Sequence, residues 1–243
     1  MRVLVVADRA DSEPGFVGER LEQLGAELVQ SLREDFPTGD VSDAAGGAIA
    51  GSADADLVLL LGSHHGVVDP GREQVVETES ALVRGCLERG VPVMAICYGA
   101  QLSAHALGGT VGKASEREIG WYYVESADPA LCPPGPWVQY HYDRFTVPEG
   151  ARPLGRSDAG PQGFAIEGDD GRLQLVAWQF HPEVTPEILK RWVSEDSEAL
   201  PGQGVDAEAV VAEAQQREAV SRAAAHALVD VSLDAMGLVR AEP

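Results

Sequence analysis

The stretch Val91-Pro92-Val93-Met94-Ala95-Ile96-Cys97-Tyr98-Gly99-Ala100-Gln101 decides how this chain is read. An apolar run opening on Val-Pro predicts a strand buried on both faces. It stops at a cysteine, and the residues beyond begin a helix pattern. Ala95 and Gly99 put small residues on either side of Cys97. That is the layout of a sharp strand-to-helix elbow, which is too crowded for larger neighbours and exposes a nucleophile. A helix start beside the sulfur offers unpaired N–H groups and a positive dipole end, which favour a thiolate. The other cysteines lack this setting. Cys86 falls in an amphipathic helix pattern and Cys132 in a loop before Pro133 and Pro134. Both are expected to be inert, buried and small.

Upstream of the elbow, apolar runs alternate with helical spacings. Val3–Ala7 reads as a strand buried on both faces, Asp56–Leu61 as another fully apolar strand, and Ala26–Leu32 as a further strand. Between them Phe16, Val17, Leu21 and Leu24 have helical spacing, as does Arg72–Arg89, which ends at Gly90. The Ala/Gly/Ser run from Asp43 to Ala53 reads as loop, since Ala48 breaks any G-x-G-x-x-G pattern. This alternation predicts an α/β fold: an open, mainly parallel sheet with helices on both faces, and ligands at the strands' carboxyl ends. Gly62-Ser63 and Cys97 both stand at such ends.

Downstream, a helix runs to Gly108-Gly109. Gly109–Val147 then reads as a small antiparallel portion, and Gln162–Phe180 as a hairpin turning at Asp169-Asp170-Gly171. Thr185, Pro186 and Glu187 mark a helix start. Leu200–Gly204 reads as a linker. After it Asp206 caps an Ala-rich helix whose apolar stripe is Val220, Ala224, Ala227, Leu228, Val231 and Ala235. Residues 1–195 are therefore expected to form one domain. Residues 196–243 form a linker and a C-terminal helix, which packs on that domain or docks a partner or second copy.

The chain has 243 residues, enough for a sizeable core without disulfides. Eighteen Lys and Arg against 39 Asp and Glu leave a net charge of −21. That excludes a nucleic-acid surface, which needs a basic patch. The start shows no signal-peptide pattern and no run is long enough to span a membrane, so a cytoplasmic location with reduced thiols is expected. The histidines and carboxylates form no metal-ligand spacing. Gly112-Lys113-Ala114 misses a phosphate loop, because Leu107 stands where a glycine is required. No cofactor is expected.

A cysteine nucleophile needs a base, and the base an orienter. His181-Pro182-Glu183 follows the apolar strand Leu175–Phe180, again at a carboxyl end. His181 can take the thiol proton, and Glu183 can hold the imidazole tautomer. Cys97-Tyr98-Gly99-Ala100-Gln101 and Phe180-His181-Pro182-Glu183 together resemble the class I glutamine amidotransferases, of the kind fused to GMP synthetase. Gly62–Asp69 resembles that family's Gly-Gly-Pro loop. Glu118-Ile119-Gly120-Trp121 resembles its Glu-Ile-Gly-Trp segment, and His141–Pro148 its His-Gly-Asp segment.

The resemblance implies a flavodoxin-like amidotransferase fold and a Cys97, His181, Glu183 triad. That triad would hydrolyse the side-chain amide of L-glutamine through a thioester. It implies oxyanion donors at the backbone N–H groups of Tyr98 and Ser63, and substrate contacts from Gly62, Gln101 and the His141, Tyr142, Asp143 segment. Ser63 and His64 depart from the loop's glycine and proline, and Tyr142 from the glycine between His141 and Asp143. A positive φ at Ser63 would be strained. No ATP-binding domain is visible, so ammonia would pass to a separate synthetase. Alternatively, the chain is a stand-alone γ-glutamyl amide hydrolase or a silent binding subunit.

Overall fold

In the computed structural model, described over residues 1–36, 49 and 51–239, the apolar runs become adjacent strands of one sheet. The first half comprises β1 (Arg2–Ala7), α1 (Gly15–Gln23), β2 (Glu27–Leu32), β3 (Leu57–Leu60), α2 (Glu73–Arg89), β4 (Val93–Ile96) and α3 (Tyr98–Ala106). The second comprises β5 (Val111–Ser126), β6 (Gly135–Phe145), β7 (Arg152–Ser157), β8 (Gly160–Glu167), β9 (Leu173–Trp178), α4 (Pro186–Glu195) and α5 (Ala207–Met236). The sheet order is β2-β1-β3-β4-β9-β8-β7-β5-β6. The first five strands in that order pair in parallel, the doubly wound order of a flavodoxin-like fold. The pairings from β9 outward through β8, β7, β5 and β6 are antiparallel. The antiparallel portion thus supplies as many pairings as the parallel one, more than the sequence suggested.

The continuous apolar strands are explained by burial on both faces. Val3, Val5 and Ala7 pack with Val17 and Leu21 of α1 and with Leu228 and Leu233 of α5. Leu4 and Val6 point the other way, into a cluster with Leu82 and Val83 of α2 and Leu102 of α3. A third cluster joins Ile119 and Val138 of the antiparallel part to Leu189 of α4 and Ala214 of α5. Most of the run 43–53 lies outside the described residues. Its end, Ser52–Asp54, is a short 3-10 turn.

One C-terminal expectation needs correction. Val220 and Val231 are exposed, and the buried stripe of α5 is Ala214, Ala225, Leu228, Val229, Ser232, Leu233 and Met236. Alanines lie on every side of this helix, so periodicity alone placed the stripe one residue off. The linker Leu200–Gly204 is packed against the rest of the chain. Leu200 is fully buried, Pro201–Gln203 forms a 3-10 turn, and Gln203 Oε1 accepts the Tyr142 hydroxyl at 3.1 Å. The Arg117 guanidinium also donates to the Gln203 carbonyl. The expected caps are present: Asp206 accepts from Ala209 N–H at 3.1 Å and Thr185 from Ile188 N–H at 3.2 Å.

Candidate active site

The turn between β4 and α3 forces Cys97 into φ 51°, ψ −105°. Cys97 is the one non-glycine residue with positive φ among the described residues. Such a conformation costs on the order of 1–3 kcal/mol and persists only where the surroundings impose it. Here they do. Cys97 N–H donates to Trp178 O at 2.7 Å, and Gln101 N–H to Cys97 O at 3.0 Å. A Cβ on Gly99 would sit 2.5 Å from Leu60 O, so the crossing of α3 over β3 demands glycine there. The elbow read from small residues is thus a packing requirement.

His181 and Glu183 follow β9, the hydrogen-bonded neighbour of β4. His181 N–H donates to Val138 O at 2.8 Å, fixing the turn. The ring's Nδ1 and Glu183 Oε1 lie 2.7 Å apart, and both side chains are buried. Burial alone would lower the His181 pKa. The Glu183 carboxylate and the nearby Cys97 sulfur overcome this and raise it well above the ordinary value. Nε2 makes no formed hydrogen bond and stays available, with Cys97 close enough to act on the ring. Trp192 meets the imidazole edge-on at 4.9 Å. Phe16 N–H donates to Glu183 O at 2.9 Å, and Gly15, at φ 46°, allows this approach. Burial pushes the Cys86 thiol up to about 11 and the Cys132 thiol up to about 12.

These groups open onto a cleft of about 280 Å³. It holds Cys97, Tyr98, Gly62, Ser63, Gln101, His141, Tyr142, Asp143 and His181, so the structure gathers the residues named from sequence, with Glu183 just behind. A shallower hollow of about 670 Å³ beside Lys113–Arg117 shares Lys113 and Tyr142 but is lined by no cysteine or histidine. Gly62 lies against the site: a Cβ there would be 3.4 Å from His181 Cε1 and 3.9 Å from Cys97 Cβ.

Ser63 is not strained, since its φ is not positive. Its Oγ donates to Asp8 Oδ2 at 2.5 Å and accepts from His65 N–H at 3.0 Å. Both His141 ring nitrogens are engaged, Nε2 with Glu118 Oε2 and Nδ1 with Asp143 O, each at 3.0 Å. The backbone of this segment, rather than the His141 ring, is therefore left to meet a ligand. The Tyr142 hydroxyl is held by Gln203. Asp143 pairs with Lys113 at 2.9 Å, a structural use of the lysine in the failed phosphate-loop match.

Sequence reasoning missed Gln179. It is fully buried, and its Nε2 lies 3.5 Å from Cys97 Sγ while its Oε1 accepts from Gln101 Nε2 at 3.2 Å. Its place beside the Phe180–Glu183 motif was the only available signal. Arg33, Asp8 and Glu79 were also missed. They form a buried charge cluster behind Gly62 and Ser63. Among the described residues no cluster of three or more His, Cys, Asp or Glu is placed to hold a metal. No described helix is long and apolar enough to cross a membrane.

Comparison with known proteins bears on the fold and the family. Similar solved structures include a glutamine amidotransferase from Thermotoga maritima (23% identity, 97% of both chains, TM-score 0.79). Another is a glutamine amidotransferase from Methylobacillus flagellatus (22%, covering 100% of this chain and 96% of that one, TM-score 0.77). At these identities they show the fold. Among curated proteins, a glutamine-hydrolysing GMP synthase from Nitrobacter hamburgensis is 35% identical over 136 residues, 51% of this chain and 25% of its own length. One from Neisseria meningitidis serogroup B is 29% identical over 150 residues, 56% of this chain and 28% of its own. The chain thus spans about a quarter of the length of these relatives. The family model for class-I glutamine amidotransferases matches residues 48–196, more than half of the chain, and the protein belongs to that family.

Proposed function

We propose that the protein hydrolyses the side-chain amide of L-glutamine, with Cys97 as nucleophile, His181 as acid and base, and Glu183 as orienter. The carrying observation is the buried His181–Glu183 pair at 2.7 Å, on the strand next to the one that ends in Cys97. The Cys97 thiolate attacks the amide carbon, and a C–S bond forms as the C=O π pair moves onto oxygen. Tyr98 and Ser63 N–H groups receive that oxyanion. The pair returns, the C–N bond breaks, and His181 gives the proton that makes ammonia. Water, losing a proton to His181, then cleaves the thioester to glutamate and regenerates the thiolate. Gly62, Gln101 and the backbone of His141, Tyr142 and Asp143 hold the substrate.

The synthetase relatives support delivery of ammonia to a separate synthetase partner. In this reading residues 1–195 are the catalytic unit and 196–243 an extension packed on it. A second reading is favoured by the cleft's reach past Cys97 to Asp11, Trp192, Glu195 and Asp196. That space would admit a substituent on the amide, as in a γ-glutamyl amide hydrolase. Purified protein assayed for glutamate should release it from L-glutamine, together with equimolar ammonia. A strong preference for N-substituted γ-glutamyl amides would select the second reading, and no release from either would remove both.

The pH profile offers a separate check. Glu183 and Cys97 raise the His181 pKa, so the imidazolium persists above its ordinary range and is lost on the alkaline side. Glu183→Gln keeps a hydrogen-bond acceptor but removes the charge. The basic limb of kcat/KM should move to lower pH, and the neutral-pH rate should fall by about 10²-fold, within the range of acid–base contributions. An unmoved basic limb would show that Glu183 does not tune His181.

A further inference from the structure

Arg33 stands directly after β2, at the start of a 3-10 turn, and its side chain is fully buried. All of its guanidinium nitrogens are used. Nε donates to Glu79 Oε1 at 2.9 Å, Nη1 to Gly62 O at 2.9 Å and Nη2 to Leu61 O at 2.9 Å. Asp8 Oδ1 lies 3.4 Å from Nη1. Successive carbonyls of an extended strand point to opposite sides. Leu61 and Gly62 instead both turn toward one guanidinium, so the backbone is twisted out of strand geometry just where β3 ends.

A trans peptide places its C=O and N–H on opposite sides, and no cis bond occurs among the described residues. With Gly62 O held by Arg33, the Ser63 N–H must face away from the arginine. Gly62 itself adjoins the triad, since a Cβ there would lie 3.4 Å from His181 Cε1 and 3.9 Å from Cys97 Cβ. The same cluster reaches the other donor. The Tyr98 hydroxyl donates to Glu79 Oε2 at 3.0 Å, and the Arg33 guanidinium lies 4.6 Å from the centre of the Tyr98 ring. Asp8 completes the frame by accepting from Ser63 Oγ.

We propose that Arg33 is a positioning residue for the oxyanion hole: its fork on the Leu61 and Gly62 carbonyls sets the Gly62–Ser63 peptide, and through Glu79 it registers that peptide against Tyr98. The proposal rests on the glutamine-hydrolysis reading above. Arg33 does not approach the reacting atoms. Its effect is on a donor that matters only once an oxyanion forms, so it should act on turnover rather than on substrate binding or thiol reactivity.

Two variants test this. Arg33→Lys keeps the buried positive charge but replaces the planar fork with a point charge that cannot hold both carbonyls and Glu79. Arg33→Met combined with Glu79→Gln removes both charges of the buried pair, so no uncompensated partner of that pair remains. In each folded variant kcat for L-glutamine should drop about 10²-fold, the usual cost of one oxyanion donor. KM should stay within about threefold. Alkylation of Cys97 by iodoacetamide, which needs no oxyanion hole, should stay within about twofold.

Retention of kcat in either folded variant would overturn the proposal. So would a parallel fall of kcat and alkylation rate, which would mark a general structural role. If wild-type protein alkylates at Cys97 yet hydrolyses no glutamine, the functional reading fails separately. The Arg33 assignment is then decided by a crystal structure of Arg33→Lys: a turned Gly62–Ser63 peptide supports it, and an unchanged peptide overturns it.

Discussion

Cys97→Ala is expected to abolish glutamine hydrolysis to the limit of detection, a loss of about 10⁴-fold or more, because no other group can form the thioester. Burial pushes Cys86 up to about 11 and Cys132 up to about 12, so neither offers a thiolate at neutral pH. The fold should survive, since alanine occupies the same space less one sulfur. The positive φ at Cys97 adds a sharper expectation. Cys97→Ala keeps the strained backbone, whereas Cys97→Gly relieves it. The strain released, about 1–3 kcal/mol, exceeds the entropic cost of glycine at about 0.5–1 kcal/mol. Both variants should be inactive, and Cys97→Gly should melt above Cys97→Ala. Calorimetry of the two proteins checks this. A less stable glycine variant would mean that the elbow stores no strain, and residual turnover in either would displace Cys97 as nucleophile.

Gly15→Ala carries the second large effect, although Gly15 lies far from the triad in sequence. Its φ is 46°, and a Cβ there would stand 1.9 Å from Glu183 O and 3.1 Å from Ile188 Cδ1. The first is backbone and cannot swing aside, so α1 and the turn after β9 must part. The left-handed conformation and the overpacking each cost on the order of 1–3 kcal/mol. Together they should lower the melting temperature by roughly 4–24 °C for a chain of this size. The displacement falls on Glu183. A misplacement of about 1 Å in a catalytic array costs about 10²-fold in rate, and kcat should fall to that extent even in the folded fraction. A variant with wild-type kcat and lower stability would show that Glu183 is held by other contacts.

The parts of the site legible in the sequence are those whose geometry is local. An elbow needs small residues within two positions of Cys97, and a base with its orienter fits within three residues. Both demands leave a mark on a short window. The parallel strands were legible for a similar reason: burial on both faces removes polar residues from Val3–Ala7 and Leu57–Leu60 altogether. Arg33, Glu79 and Asp8 meet only because β2, α2 and β1 are brought together by the sheet order. In sequence each is one charge among many in a chain of net charge −21. Gln179 likewise reads as a polar residue at a strand end, and only the pairing of β4 with β9 places it against sulfur. The stripe of α5 was misplaced because alanine is compatible with either face. The extent of the antiparallel half was underestimated because its strands alternate only in part and carry register shifts.

The pairing of β4 with β9 has a consequence for how such a chain can diversify. Cys97 N–H is bonded to Trp178 O, three positions before His181, so the reach from sulfur to imidazole is fixed by one interstrand spacing. That distance does not depend on the lengths of the turns between the two strands, so long as β6 still presents Val138 O to His181 N–H. The intervening excursion through β5, β6, β7 and β8 is closed at its ends by this ladder, and lengthening such a closed segment costs only a slowly growing entropy. Insertions in the turns at 127–134 and 146–151 can therefore lengthen this excursion while the reacting pair keeps its separation.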